Sequence, residues 1–170
     1  MTNKTIGIVI FILVIITGIF AFMNRNLVKD KSEALHNAEI IIKQGENETK
    51  IGFDDIKELG EVEFYATLDT STTDPKDYKY TGVPLINILK KLEIDTENKK
   101  QLIVRGIDGY TVAFSIDEVV DEDNIYLAYK MEGKLLKSKE EGGSGPYQLI
   151  VRKDQFSQRW CKFVVEMEVR

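Results

Sequence analysis

From Thr5 to Asn24 no charged residue interrupts the chain, and TIGIVIFILVIITGIFAF is apolar almost throughout. That run is close to the ~20 residues a helix needs to cross a bilayer. Beyond it the pattern changes period. NRNLVKDKSEALHN (24–37) is polar and reads as a stalk. AEIIIKQGENETKIGF predicts a hairpin: an apolar run, a turn at Gln44-Gly45-Glu46-Asn47, and a second short strand. FDDIKELG predicts a helix of one to two turns, ended by Gly60. EVEFYATLDT alternates, with Val62, Phe64, Ala66 and Leu68 on one face, and predicts a strand. TSTTDPKDYKYTG reads as a loop.

VPLINILKKLEI places Leu85, Ile88, Leu89 and Leu92 at helical spacing, with Pro84 near the start, where a missing N–H is harmless. QLIVRGIDGYTVAFSI predicts two strands about a tight turn at Asp108-Gly109, since Asp-Gly favours hairpins. SIDEVV predicts a short helix capped by Ser115. NIYLAYKMEGKLLK predicts a hairpin turning at Glu132-Gly133. After the glycine-rich stretch EEGGSGPYQ, the segments YQLIVRKD and RWCKFVVEMEVR predict two closing strands. Many short strands and about three short helices define an α+β domain of mixed or antiparallel sheet, preceded by one transmembrane helix.

Composition narrows the reading. The chain has 170 residues, of which 43% are hydrophobic and 30% charged, as expected of one globular domain. The pattern divides it into an anchor (1–23), a linker (24–37) and a domain (38–170). A cleavable signal peptide would have a shorter apolar region and a better small-x-small site than Ile19-Phe20-Ala21. No cysteine comes after the segment within reach of it, so a lipoprotein anchor is excluded and an uncleaved anchor is favoured. Arg25, Lys29 and Lys31 against Lys4 lean weakly toward a cytoplasmic carboxyl end. A lone apolar segment at an amino terminus usually exports the chain beyond it, and an extracytoplasmic domain is expected. Ser32 to Arg170 holds 19 basic against 27 acidic residues, a net charge of −8. Nucleic acid is excluded as a partner, because phosphate binding needs a basic stripe.

Candidate chemistry is sparse. Cys161 is the only cysteine and His36 the only histidine, so no intrachain disulfide, CxxC or zinc pattern exists. His36 reads as a solvated linker residue. Strand parity puts Cys161 with Phe163, Val165, Met167 and Val169, facing the core, where a thiol is inert. Asp121-Glu122-Asp123 lacks the positioned glycine and distal glutamate of a calcium loop. Arg105, Arg152 and Arg159 read as partners for the many acids. Tyr78, Tyr80, Tyr110, Tyr147 and Trp160 are half-buried sheet aromatics or the walls of a pocket.

The ordered series YTGVPLINIL, IDGYTVAFSIDEV, IYLAYKMEGKLL, GSGPYQLIV and RWCKFVVEMEV resembles the molybdopterin-binding domain of sulfite-oxidase-type oxidoreductases, over about Ala38 to Arg170. The resemblance implies that family's α+β fold and extracytoplasmic redox chemistry. The sequence departs from the family's pattern where its chemistry lies. The family's molybdenum-ligating cysteine precedes the motif matched by YTGVPL, and no cysteine lies between Asn37 and Tyr80. GSGPYQ has neither the histidine nor the arginine of the family's glycine loop, and Gln148 stands at the arginine position.

By resemblance, the cofactor face would comprise Asp108, Tyr110, Gly143, Gly145, Tyr147, Arg159 and Trp160, with Tyr110, Gly143, Tyr147 and Arg159 expected to line one concavity. The glycines would turn backbone N–H groups to a ligand, the aromatics would supply flat walls, and Arg159 one cation. One arginine is thin provision for a pyrophosphate-bearing pterin. The sequence therefore reads as a membrane-anchored binding module for a small ligand or a partner protein. No catalytic or metal-ligating residue is assigned and no cofactor is expected, although the resemblance keeps molybdopterin possible. The alternatives are a molybdopterin oxidoreductase with atypical metal ligation and a structural subunit of a membrane redox complex.

Overall fold

The structure is a computed structural model. It describes residues 3–170, with the side chains of residues 3, 26–32 and 73 outside that description. The chain divides into two compact units, 1–34 and 35–170.

The described residues of the first unit lie within one helix, α1 (Asn3–His36). Over Lys4–Arg25 its mean hydropathy is 3.0 and none of its surface is buried. It is therefore long and apolar enough to cross a membrane. The polar stalk expected from residue 24 onward continues this helix to His36. Between Gly18 and Gly45 there is no glycine or proline to stop it. An established helix propagates cheaply through Leu, Lys, Glu and Ala.

The second unit is built from two five-stranded sheets. In the first, β1 (Glu39–Gln44) and β2 (Asn47–Gly52) form the expected hairpin, with Gly45 at φ 62°. The short helix α2 (Phe53–Lys57) comes next. β5 (Gln101–Gly106) and β6 (Thr111–Ser115) turn through Gly109 at φ 87°. β10 (Val164–Val169) lies between β1, to which it is parallel, and β5, to which it is antiparallel.

The second sheet contains β3 (Val62–Thr70), β4 (Thr73–Pro84) and β7 (Ile125–Met131). β8 (Lys134–Leu135) and β9 (Gln148–Val151) pair with successive parts of β7 on the edge away from β4. Helix α3 (Leu85–Lys91) buries Leu85, Ile88 and Leu89, while α4 (Ile116–Val120) starts on a capping box between Ser115 and Glu118. The core includes Ile40, Ile42, Leu102, Val104 and Met167 from the first sheet and Phe64, Tyr80, Leu127 and Tyr129 from the second. α+β architecture with mixed sheet is thus what the chain adopts.

Two local expectations differ from this fold. The segment read as a loop at TSTTDPKDYKYTG is mostly β4, which pairs with β3 from Val62↔Gly82 to Thr70↔Thr73. Its outer half carries polar residues on both faces, so burial imposes no period there. Pro75 is tolerated because β7 pairs with β4 only over Tyr80–Pro84. The last strand is also shorter than expected. Phe163 adopts φ 54° and the β10–β5 register shifts between Val164 and Glu166. Val164 therefore joins the core and Val165 is half-buried. Cys161 is buried as expected, although no continuous strand places it there.

Candidate functional site

Five stretches of the chain meet at one hollow of about 720 Å³. The end of β3 contributes Leu68 and Thr70, β4 contributes Tyr80, and the β7–β8 hairpin contributes Met131, Glu132, Lys134 and Leu135. The chain beyond β8 adds Leu136, Lys137 and the loop Gly142–Ser144. Gln148 opens β9, and Ser157, Trp160 and Lys162 close the far wall.

Backbone bonding holds the walls together. Leu149 and Cys161 exchange N–H···O bonds, the Phe163 N–H donates to Ser144 O at 2.9 Å, and the Val164 N–H to Tyr147 O at 3.0 Å. These bonds join the glycine loop and β9 to the approach of β10. Tyr80 and Trp160 meet edge to face at 5.8 Å, and the indole N–H donates to Val151 O at 3.1 Å. An indole with both its neighbours and its N–H fixed is a rigid apolar wall.

The glycines act differently from the sequence expectation. A Cβ on Gly143 would lie 2.1 Å from Lys137 O, and one on Gly145 would lie 2.7 Å from Leu136 Cβ. The Gly143 N–H donates to Ser138 O at 2.8 Å, and the Gly145 N–H to Lys137 O at 2.9 Å. Gly142, at φ 70°, donates to Lys139 O at 3.0 Å. The three N–H groups are used within the chain rather than turned toward a ligand. The glycines let the loop pack directly on residues 136–137.

Of the seven cofactor-face candidates, four of them expected on one concavity, only two line this hollow. Gly143 and Trp160 line the hollow; Asp108, Tyr110, Gly145, Tyr147 and Arg159 do not. Tyr147 is in the core, its hydroxyl donating to Ala38 O at 3.2 Å, and burial raises its pKa. Asp108 accepts from the Tyr110 N–H at 3.1 Å and closes the β5–β6 turn. Tyr110 is exposed and donates to Gln158 O at 2.6 Å. Arg159 donates through Nε to Asp154 at 2.7 Å, lies 2.8 Å from Glu118, and stacks on Phe114. Those bonds to Asp154 and Glu118 raise its pKa further, so its charge is used inside the domain.

The other candidates find structural partners. Cys161 is wholly buried, and burial, then the nearby Asp108 charge, pushes its thiol up to about 12. His36 is not simply solvated: its Nδ1 lies 3.1 Å from Asp54, and its ring meets Phe53 edge-on at 5.1 Å. Arg105 pairs with Glu166 and Glu168, and Arg152 with Asp123. Asp121 pairs with Lys153 and Glu122 with Lys90, so this acidic loop is neutralised by cations. Among the described residues no group of three or more His, Cys, Asp or Glu is placed to hold a metal ion.

Sequence reasoning missed the lysines. Lys134, Lys137 and Lys162 border the hollow and have no carboxylate partner among the described residues, whereas Lys43, Lys50, Lys79, Lys90, Lys130 and Lys153 all do. Each falls in a polar position of its own segment, which reads as ordinary solvated surface. Only Gln148 carried a signal, as the residue at the family's arginine position.

A family model described as the oxidoreductase molybdopterin binding domain matches residues 28–170, and the chain belongs to that family. The crystal structure of the sulfane dehydrogenase SoxCD from Paracoccus pantotrophus is similar, with a TM-score of 0.64 and 20% identity. The match covers 79% of this chain and 38% of that one, and shows a shared fold. Among curated proteins no match is found.

The family implies a molybdenum–pterin group, and the hollow's donors test that implication. In the enzymes of the sulfite-oxidase type that the sequence resembles, one cysteine thiolate completes the protein's ligation of the metal, and soft sulfur suits such a metal. The lining residues offer ammonium, hydroxyl, amide and one carboxylate, with neither cysteine nor histidine among them. Cys161 does not line the hollow, and its raised pKa keeps it protonated at neutral pH. These residues do not fit protein ligation of the metal.

Proposed function

We propose that the protein is a membrane-anchored, extracytoplasmic binding module of the molybdopterin-domain family, holding a small ligand or a partner protein without molybdenum catalysis. The observation that carries this reading is the donor set of the hollow, which has apolar walls and lysines where a metal site would need sulfur. A hollow of about 720 Å³ falls in the range of small-molecule sites, ~300–1,000 Å³. The helix over Lys4–Arg25 supports the anchor, since its 22 residues match a bilayer core. Export of the domain rests on the position of that segment.

Elemental analysis of the full chain, purified from a host that makes molybdenum cofactor, tests the reading. The expected result is no stoichiometric molybdenum and no sulfite or sulfoxide turnover. One molybdenum per chain would replace this reading with an oxidoreductase of atypical ligation, which family membership itself favours. A stable co-purifying redox protein, with the hollow empty, would favour a structural subunit of a membrane redox complex.

A further inference from the structure

Four aromatic rings form a continuous series along the second sheet. Trp160 meets Tyr80 edge to face, with 5.8 Å between ring centroids. Tyr80 stacks with its β3 partner Phe64 at 5.9 Å and 26° between planes. Phe64 stacks in turn with Tyr126 of β7 at 4.0 Å and 20°. All four are buried. The two ends differ from ordinary core rings. Trp160 opens on the hollow, its indole N–H held by Val151 O. Tyr126 donates its phenol O–H to Asp123 Oδ1 at 2.7 Å, and that carboxylate is exposed on the acidic turn. Burial, then the bond to Asp123, pushes the phenol up to about 12, so at neutral pH its proton stays in the hydrogen bond.

We propose that this series is a one-electron conduit, with Trp160 as the entry for an oxidising equivalent at the hollow and Tyr126 as its exit at Asp123. A one-electron oxidant takes an electron from the Trp160 indole and is itself reduced. An electron from Tyr126 then refills the indole through the rings of Tyr80 and Phe64. The phenol proton passes along the existing hydrogen bond to the Asp123 carboxylate. The products are a neutral phenoxyl radical and a neutral carboxylic acid. Of the two phenols in the series, only Tyr126 has a carboxylate to take its proton. The Tyr80 hydroxyl has no hydrogen-bond partner among the described residues, so Tyr80 bridges and Tyr126 terminates. Tyr129 also bonds to a carboxylate, Glu61, but its ring leads to Phe53 and His36 rather than to Trp160. The conduit goes beyond the binding-module reading and does not depend on what the hollow holds.

Trp160 is the chain's only tryptophan, so an indolyl radical reports the entry alone. The test is pulse radiolysis of the detergent-solubilised full chain with azide radical, a one-electron oxidant of indole small enough to enter the hollow. Indolyl absorption is expected to decay as phenoxyl absorption grows, at a rate independent of protein concentration. Tyr126→Phe keeps the stacked ring and removes the terminus. It should abolish the conversion and leave the indolyl radical to persist. Tyr129→Phe should leave the conversion unchanged. Should Tyr126→Phe misfold, Asp123→Asn should slow the conversion by withdrawing the proton acceptor. The proposal is overturned if Tyr126→Phe, or Asp123→Asn in its place, converts at the wild-type rate. It is equally overturned if the rate scales with protein concentration, if Tyr129→Phe abolishes the conversion, or if no indolyl radical forms even in Tyr126→Phe. Any of these results leaves the binding module standing. Stoichiometric molybdenum would sink the module and leave the conduit.

Discussion

Leu149 and Cys161 exchange both backbone hydrogen bonds, N–H to O at 2.8 Å and 3.2 Å, as an isolated antiparallel bridge. The pair ties β9 of the second sheet to the approach of β10, the central strand of the first. It also fixes the thiol between the sheets, on the segment whose Trp160 and Lys162 wall the hollow.

Cys161 is therefore expected to react slowly with alkylating reagents in the native chain and rapidly in denaturant. Its thiol is held at about 12 when folded, against an ordinary value of 9.0. Between those values the unfolded chain loses a proton that the folded chain keeps. This contribution to stability is thus intact below about pH 9 and falls as pH rises toward 12. Cys161→Ala should cost about 1–2 kcal/mol through a small cavity, read from denaturant midpoints. Fast native labelling would contradict the burial.

Arg159 is expected to matter for stability and not for ligand. Its guanidinium serves Asp154, Glu118 and the Phe114 ring, and Glu118 is also the second half of the Ser115 capping box. Arg159→Met should lower stability by about 1 kcal/mol, a modest value because the side chain is partly exposed. Arg159 and then the Ser115 donors lower the Glu118 pKa. That stabilisation is present above the ordinary carboxylate range and is lost as pH falls through the depressed value. Arg159→Met should therefore flatten the acid limb of a stability–pH curve. An unchanged acid limb would show that the ion pair contributes nothing.

Gly143→Ala is expected to be the most damaging change in the loop. The new methyl would fall on the carbonyl and side chain of Lys137, so the loop must separate from residues 136–137, at roughly 1–3 kcal/mol. Gly142→Ala meets no atom within 4 Å and costs only its left-handed φ, about 1 kcal/mol. Thermal unfolding of the two variants should rank them in that order. The reverse ranking would mean that the loop does not pack on residues 136–137.

The full chain is expected to require detergent, because Ile8, Phe11, Val14, Phe20 and Phe22 are all exposed on the helix. A chain starting at Ser32 keeps the core residue Leu35 and should stay in solution. Carbonate extraction of membranes should leave the full chain in the pellet. Release by carbonate, or aggregation of the shortened chain, would contradict the anchor.

What the sequence determined by itself is local. The three hairpin turns formed at Gly45, Gly109 and Glu132-Gly133, each with positive φ. The helix at Pro84, the capping box at Ser115 and the apolar span over Lys4–Arg25 also formed as their residues predict. All of these depend on interactions within a few residues, which composition and period express directly. The ordered motifs extended that legibility to the family, because they preserve the succession of strands and turns.

The tertiary structure alone decided the rest. β4 is a strand because β3 pairs with it, although its outer half has no apolar period to show it. Phe163 and the register shift after Val164 end the parity that otherwise runs from Met167 to Val169. Gly143 and Gly145 serve packing because β8 leads the chain directly beneath them. Lys137 and Lys162 border one hollow because β7 pairs with both β8 and β9, and the Leu149–Cys161 bridge holds the segment of Lys162 to β9. Each of these outcomes depends on which distant segments pair, and a strand's own residues encode its two faces but not its neighbour.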